Sequence, residues 1–137
     1  MKISAEVKCG RGTPEVTVTT GGTSHALAIA AKKAGNGLAT NGGELLFLAA
    51  AACYCNDLYR EAGRRGLTVD QVDVLVSGEF DGEGEAASNV TYTVKLKGPG
   101  DERALEQLAR DTDRVAEIHQ SFRIPVPIVL TRVEALS

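Results

Sequence analysis

Residues 41–67 read NGGELLFLAAAACYCNDLYREAGRRGL, and this stretch predicts a long helix at the centre of the fold. Leu, Ala, Glu and Arg dominate it and proline is absent, which is the composition of a good helix former. From Leu45 to Ala52 the apolar side chains cover every face of a helix, so we expect the helix to be buried on all sides. The apolar run is about half the length that spans a bilayer, so we predict a core helix and no membrane segment.

The two ends of this helix carry recognisable signals. Asn41 is a good N-cap, and Glu44 is spaced to reach back to the amide of the cap, as in a capping box. Gly66 is placed to end the helix. A helix buried on all sides needs more cover than one chain of 137 residues readily supplies, so a second copy of the chain is one expected source of it.

Length, charge and cysteine count set the class of protein. We expect one domain over residues 1–137. The net charge is −3 with basic and acidic residues interspersed, so nucleic acid is not an expected partner. Charged residues interrupt the segment after Met1, which argues against a secretory signal and for a cytoplasmic protein. Three cysteines without a signal peptide indicate free thiols.

The order of elements predicts an α+β fold, with strands and helices segregated along the chain. Alternating apolar and polar residues predict an N-terminal β-meander and, after the long helix, a β-hairpin across an acidic turn. A stripe at i, i+3 and i+4 then predicts a second, amphipathic helix, followed by an irregular segment with two prolines and a final strand. The predicted strands are 2–9, 15–20, 24–31, 72–80, 89–97 and 128–136, the second helix is 101–118, and the irregular segment is 119–127.

Cys53 and Cys55 are the two residues of the long helix whose side chains can act as nucleophiles or ligands. Each has two interpretations, a small apolar residue packed among alanines or a functional thiol. Side chains two positions apart on a helix point about 200° away from each other, so these two thiols are not expected to bridge. His25 and His119 are far apart in sequence and no cofactor motif or zinc spacing is present, so we predict no metal and no cofactor.

Arg11 and Glu44 are two further candidates. Arg11 lies in a Gly-Arg-Gly turn, where it is either a solvated turn residue or a guanidinium near a thiol. In the second case it would lower the pKa of the cysteine by favouring the thiolate. Glu44 either caps the helix only or also positions such an arginine.

The chain resembles the OsmC/Ohr family, the osmotically inducible and organic hydroperoxide resistance proteins, in its OsmC-like branch and as a divergent member. The resemblance is carried by residues 43–53, GELLFLAAAAC, which look like the family's helix motif of a glutamate and leucines leading into Ala-Ala-Cys. Gly-Arg-Gly at 10–12, Arg-Arg-Gly-Leu at 64–67 and Ala116-Glu117 also fit. The resemblance implies an intertwined two-fold homodimer with the long helices at its centre and active sites at the subunit interface.

It further implies a thiol chemistry for Cys53. In the family's peroxidases a thiolate attacks an organic hydroperoxide, an arginine and a glutamate activate it, and a second cysteine resolves the sulfenic acid. Cys53 falls on the attacking, peroxidatic cysteine and Arg11 is a match for the arginine. The catalytic glutamate of the hydroperoxide-resistance branch falls on Gly43, so only the second glutamate of the pair, Glu44, is kept.

The resolving cysteine of the family is not matched. The segment 119–125 reads HQSFRIP, and Ser121 is the nearest equivalent of that cysteine. Cys55, Cys9 or an external thiol reductant would then have to resolve the sulfenic acid.

Two functions follow as hypotheses. The first is a thiol-dependent organic hydroperoxide reductase in oxidative stress defence, in a one-cysteine form that uses an external thiol. The alternative is a catalytically inactive dimer of the same fold that binds a small apolar ligand at its interface, with Cys53 only packing. The missing resolving cysteine and Gly43 favour the alternative, and the helix motif favours the first.

Overall fold

The computed structural model describes residues 1–10 and 12–136, in two compact units that divide between residues 46 and 47. The division falls within the long helix α1, Gly42–Arg64. The α+β architecture is confirmed, and a single domain over 1–137 remains a prediction.

The first unit contains the predicted β-meander. Strands β1 (Ile3–Lys8), β2 (Glu15–Thr20) and β3 (Thr23–Leu27) form an antiparallel sheet in the order β1-β2-β3. Gly21 and Gly22 both have positive φ, which is the backbone of a type I′ hairpin turn and explains the pair of glycines. The third strand ends four residues before the predicted Ala31, because its alanines favour strands only weakly.

The start of α1 is built as the sequence predicts. The backbone N–H of Asn41 donates to Glu44 Oε1 at 3.0 Å, and the backbone N–H of Glu44 donates to Asn41 Oδ1 at 2.8 Å. This reciprocal capping box satisfies two amides, including one of the helix amides that lack a partner in the first turn.

The end of α1 is also explained by its sequence. Gly66 has φ 65°, and the N–H groups of Leu67 and Gly66 donate to the carbonyls of Ala62 and Gly63 at 2.9 and 3.2 Å. This is the Schellman pattern, in which a glycine takes the left-handed conformation and the last carbonyls find donors.

The second unit packs the main part of α1 against a hairpin and a second helix. Strands β4 (Gln71–Phe80) and β5 (Ala87–Lys97) pair antiparallel, and α2 follows at Glu102–Val115 with Asp101 as its N-cap. Burial is concentrated in one cluster from α1, α2 and Ala116: Tyr54, Leu58, Ala62, Leu108 and Ala116. The inner faces of β4 and β5 pack against it, and Tyr54 donates to the carbonyl of Ala109 at 2.7 Å.

The hairpin has a bulge where Asn89 and Val90 of β5 oppose Gly78 of β4. Asn89 has φ 52°, the only positive φ of a non-glycine residue among those described. A Cβ at Gly78 would lie 2.9 Å from the Phe47 ring and 3.0 Å from Val90, so the close approach of these groups requires glycine.

Within this chain α1 buries one stripe and not all its faces. Ala50, Tyr54, Asp57, Leu58 and Ala62 are buried, whereas Leu48 is 60% exposed. The difference from the predicted all-round burial has a simple cause, since the hairpin and α2 cover the helix from one side only. Among the described residues no helix is both long enough and apolar enough to cross a membrane.

The C-terminal part of the chain differs most from the prediction. The second helix ends at Val115, three residues before the predicted 118, and residues 119–123, predicted to be irregular, belong to a short helix α3 (Glu117–Arg123). The prolines that break regular structure come only at 125 and 127. Residues 128–136, predicted as a final strand, form no strand in this chain. They are exposed, with Ile128 at 98%, and without a neighbouring strand their backbone has nothing to pair with.

Candidate functional site

The structure places Cys53 in a polar cluster and not among packed alanines alone. Its thiol donates to Asp57 Oδ2 at 3.4 Å, and Glu117 Oε2 at the start of α3 lies 3.7 Å from the sulfur. Asp57 reaches the thiol because it follows Cys53 by four residues on the same helix face. The cysteine is half-buried, so the sulfur is sheltered without being closed off from solvent.

Arg60 joins the two carboxylates around the thiol. Its guanidinium lies 3.0 Å from Asp57 Oδ1 and 3.8 Å from Glu117 Oε1. Asp57 is only 6% exposed, so its charge would be costly without this partner. The cluster of Cys53, Asp57, Arg60 and Glu117, called here the thiol cluster, therefore holds one thiol, two carboxylates and one cation.

These surroundings favour the neutral thiol at rest. Burial raises the pKa of Cys53, and the hydrogen bond to Asp57 and the negative charges of Asp57 and Glu117 raise it further. The backbone N–H of Ile118 acts in the opposite direction, because it donates towards the sulfur and favours the thiolate. Within the part of the chain that is described, the cluster therefore favours a protonated Cys53 thiol next to a carboxylate base over a thiolate.

Asp57 and Glu117 differ in their affinity for a proton. Burial raises the pKa of Asp57, and its interaction with Glu117 raises it further, whereas Arg60 opposes the rise. The pKa of Glu117 is lowered by its own backbone amide and by the hydrogen bond with Asp57. Of the two carboxylates, Asp57, which also touches the thiol, is therefore the one whose pKa is raised.

Three residues of the thiol cluster also have the geometry of a metal site, among the residues that the structure describes. One ligand atom from each of Cys53, Asp57 and Glu117 lies within 4.8 Å of the other two. A thiol and carboxylates are ligands that zinc accepts, usually in a set of four. Arg60 already supplies positive charge to both carboxylates, so the cluster has a cation of its own.

Cys55 and Cys9, the candidate resolving cysteines, have other environments. Cys55 is half-buried, and burial followed by the charge of Asp73 raises its pKa. This difference from Cys53 agrees with the opposite directions expected for side chains two positions apart. Cys9 is exposed and belongs to the first unit.

The remaining predicted site residues are Glu44, Ser121 and Arg11. Glu44 makes the capping box, which is one of its two predicted roles. Ser121 donates to the carbonyl of Glu117 at 3.1 Å within α3, so its hydroxyl is occupied by the helix backbone. Arg11, the predicted activating arginine, lies outside the described residues.

Three members of the thiol cluster were not identified from the sequence as site residues. Asp57 and Arg60 carry a usable signal, because i+4 and i+7 from Cys53 lie on its side of a helix. Glu117 is 64 positions from Cys53, and no local pattern connects them. It follows Ala116 at a point that the family resemblance marks, which is the only sequence signal for it.

Comparison with known families identifies one match. The family model of OsmC-like proteins matches residues 35–131, which include α1, the hairpin, α2 and α3. No curated protein matches the chain.

Solved structures with the same fold cover nearly the whole chain. An OsmC-like protein from Mycoplasma pneumoniae is 12% identical, with a TM-score of 0.62 over 88% of this chain and 87% of the other. The organic hydroperoxide resistance protein OhrB of Bacillus subtilis is 21% identical, with a TM-score of 0.54 over 88% and 90%. An organic hydroperoxide resistance protein OsmC from Legionella pneumophila is 20% identical, with a TM-score of 0.55 over 90% of each chain. At these identities the likeness describes the fold.

Proposed function

Because this chain belongs to the OsmC-like protein family, we propose that it is a thiol-dependent organic hydroperoxide reductase in which Cys53 attacks the peroxide. The observation that carries the proposal is the bond from the Cys53 thiol to Asp57 Oδ2, at 3.4 Å, inside the thiol cluster. A cysteine that only packed among apolar groups would not need two carboxylates at 3.4 and 3.7 Å from its sulfur. The names of the B. subtilis and L. pneumophila relatives support the choice of an organic hydroperoxide.

The first step moves one proton and two electrons. Asp57 accepts the thiol proton while the sulfur attacks one peroxide oxygen and the O–O bond breaks. The departing alkoxide takes the proton back from Asp57 and leaves as an alcohol. Sulfur is oxidised to a sulfenic acid and the peroxide is reduced, so ROOH and thiol give ROH and Cys53 sulfenic acid.

Recovery of the thiol needs a reductant from outside the chain. No second cysteine is bonded to the thiol cluster among the described residues, and Ser121 cannot form a disulfide. An external dithiol attacks the sulfenic sulfur, water leaves, and the second thiol of the reductant then breaks the mixed disulfide. The proposal keeps Arg11 as a candidate for thiolate activation, Cys55 and Cys9 as candidates for resolution, and the cytoplasm as the compartment.

The test is thiol titration of the reduced protein after one equivalent of cumene hydroperoxide. We expect the loss of one thiol per chain and a sulfenic acid that dimedone traps at Cys53, identified by mass spectrometry. Cys53→Ser abolishes the loss, whereas the matched Cys55→Ser and Cys9→Ser variants retain it. Dithiothreitol then supports repeated turnover in the wild type.

An unchanged thiol titre, or dimedone on another cysteine, would refute the proposal. It would also favour the second hypothesis, a dimer that binds a small apolar ligand at its interface with Cys53 only packing. The raised pKa of Cys53 is the observation that favours this alternative. A Cys53→Ala variant with unchanged protection of cells against organic hydroperoxides would support it.

We propose further that the protein functions as a homodimer. The argument is the apolar surface of the second unit, where Leu48, Leu75 and most apolar side chains of residues 124–136 are exposed. The segment 128–136 alternates in part and has no strand partner in its own chain, and the two-stranded β4–β5 sheet has free edges. A second copy supplies both a strand partner and apolar cover.

Sedimentation equilibrium tests this proposal. We expect twice the chain mass for the wild type, and a Val129→Pro substitution in the tail should shift the equilibrium towards single chains, since proline cannot donate to a strand ladder. A monodisperse single chain at micromolar concentration would overturn the dimer without deciding the chemistry of Cys53.

A further inference from the structure

A cavity of about 290 Å³ lies inside the second unit, away from the thiol cluster. Its walls come from α1, the bulged part of the hairpin and α3. Its size is at the lower end of the range of small-molecule sites. The side chains of the thiol cluster do not line it.

Two polar atoms in the cavity wall are buried without a partner. Ser88 Oγ and His119 Nδ1 have no hydrogen-bond partner within the part of the chain that is described. The His119 residue is only 6% exposed. An orphaned polar atom of this kind costs free energy, and two in one cavity call for a common explanation.

The backbone around these atoms is irregular in a way that is costly to maintain. The bulge, in which Asn89 and Val90 lie opposite Gly78, follows Ser88 directly. Within it, Asn89 has the left-handed backbone conformation. Bulges and strained residues of this kind are concentrated at functional sites, where they aim a side chain. Here the bulge follows Ser88, one of the residues that line the cavity.

His119 is held in place by rings and not by hydrogen bonds. Its ring stands edge-on to Tyr92 with centroids 4.4 Å apart and lies 5.5 Å from the ring of Tyr54. Tyr92 itself donates to Asp113. The imidazole is therefore fixed in orientation, and its Nδ1 has no hydrogen bond to any described residue.

The other residues that line the cavity indicate the polarity and the charge of a ligand that would fit it. Apolar groups of Ala50, Val76, Val90 and Phe122 line the cavity. Arg123 also lines it, but its guanidinium is paired with the side chain and carbonyl of Asp113 at 2.6 and 3.0 Å. No uncompensated charge is thus offered to an anion, and burying one there would be costly.

We infer that this cavity binds a small uncharged molecule with an apolar body and one head group that both donates and accepts a hydrogen bond, such as a primary carboxamide, held by Ser88 and His119. The head group satisfies the two orphaned atoms, and the ring or short chain behind it packs against Phe122 and the valines. The inference does not depend on peroxide chemistry at Cys53.

Benzamide is the probe, with toluene as the same ring without the head and benzoate as its charged counterpart. We expect benzamide to shift the ¹⁵N resonance of His119 Nδ1 saturably, and toluene and benzoate to bind at least tenfold more weakly. Isothermal titration calorimetry measures the variants, because His119→Phe removes the ¹⁵N reporter. Ser88→Ala and His119→Phe each weaken benzamide binding roughly tenfold, because each leaves one end of the head unpaired. Ser77→Ala, on the outer face of the same hairpin, leaves it unchanged.

The inference is overturned if benzamide gives no saturable shift up to its solubility limit, since water then fills the cavity. It is also overturned if toluene binds as tightly, or if Ser88→Ala binds like the wild type. Circular dichroism and melting identify a His119→Phe variant that fails to fold, and Ser88→Ala then decides alone. Cys53→Ser should retain benzamide binding, so failure here and failure of the peroxidase proposal are separate results.

Discussion

The second half of α1 has two faces with opposite character. One carries Tyr54, Leu58 and Ala62 at intervals of four and is buried in the core. The other carries Cys53, Asp57 and Arg60, one step round the helix, and holds the thiol cluster. The same backbone thus anchors the second unit and positions the Cys53 sulfur, so we expect changes on the two faces to separate stability from chemistry.

The largest expected effect is on the core face. Leu58→Ala should lower the free energy of unfolding by about 2–5 kcal/mol, because Leu58 is fully buried and leaves a cavity. Leu27→Ala removes the same atoms from an exposed position of β3, outside the proposed dimer surface, and should lower it by clearly less. Urea unfolding measures both. Equal effects would mean that the core lies elsewhere.

The next effect is on the thiol face and concerns chemistry. Asp57→Asn should slow peroxide reduction about 100-fold, because an amide accepts the thiol bond but cannot take the proton. The same change should speed alkylation by iodoacetamide at neutral pH, since loss of the Asp57 charge lowers the pKa of Cys53. Rates that rise together would show that Asp57 only suppresses the thiolate, and rates that fall together would indicate a structural role.

A smaller effect returns to the core face. Tyr54→Phe removes the hydrogen bond to the Ala109 carbonyl but keeps the ring, so it should cost about 0.5–1.5 kcal/mol of stability. Tyr59→Phe, at an exposed position of α1, is the matched control and should be neutral. Thermal melting compares them. A neutral Tyr54→Phe would show that packing alone holds this face.

The smallest effect concerns Glu117, whose side chain is largely exposed. Its charge contributes to the raised pKa of Cys53, so the midpoint of alkylation against pH should lie above the pKa of an ordinary cysteine thiol. Glu117→Gln lowers that midpoint, and at a fixed pH below it alkylation should rise about threefold, because solvent screens an exposed charge. A midpoint that moved upward would contradict the assigned sign.

The difference between the two faces also explains what the sequence could predict. Strands 15–20 and 89–97 and both ends of α1 follow from local patterns, and the structure confirms them. The core face of α1 was not predicted, because the apolar run 45–52 covers every face of the helix and indicates no preferred side. Nor was α3 predicted, because it is short and followed by prolines, so local pattern favours an irregular segment there.

The parts that were missed depend on partners distant in sequence. Residues 128–136 have the composition of a strand, but a strand exists only where another strand pairs with it. Cys53 was identified from its motif, whereas the environment that sets its pKa includes Glu117, which comes from α3. Charge and burial at a site are properties of the assembled chain, and sequence spacing reports them only within one helix.

Gly78 lies against the ring of Phe47, which packs in turn against the rings of Phe80 and Phe122. The Phe47 ring is stacked on Phe80 with ring centroids 5.9 Å apart and tilted against Phe122 at 6.4 Å. A single methyl group at position 78 would displace Phe47, and Phe122 would have to follow. Residue size at position 78 is therefore linked to residue size at position 47. A residue larger than glycine at position 78 requires one smaller than phenylalanine at position 47.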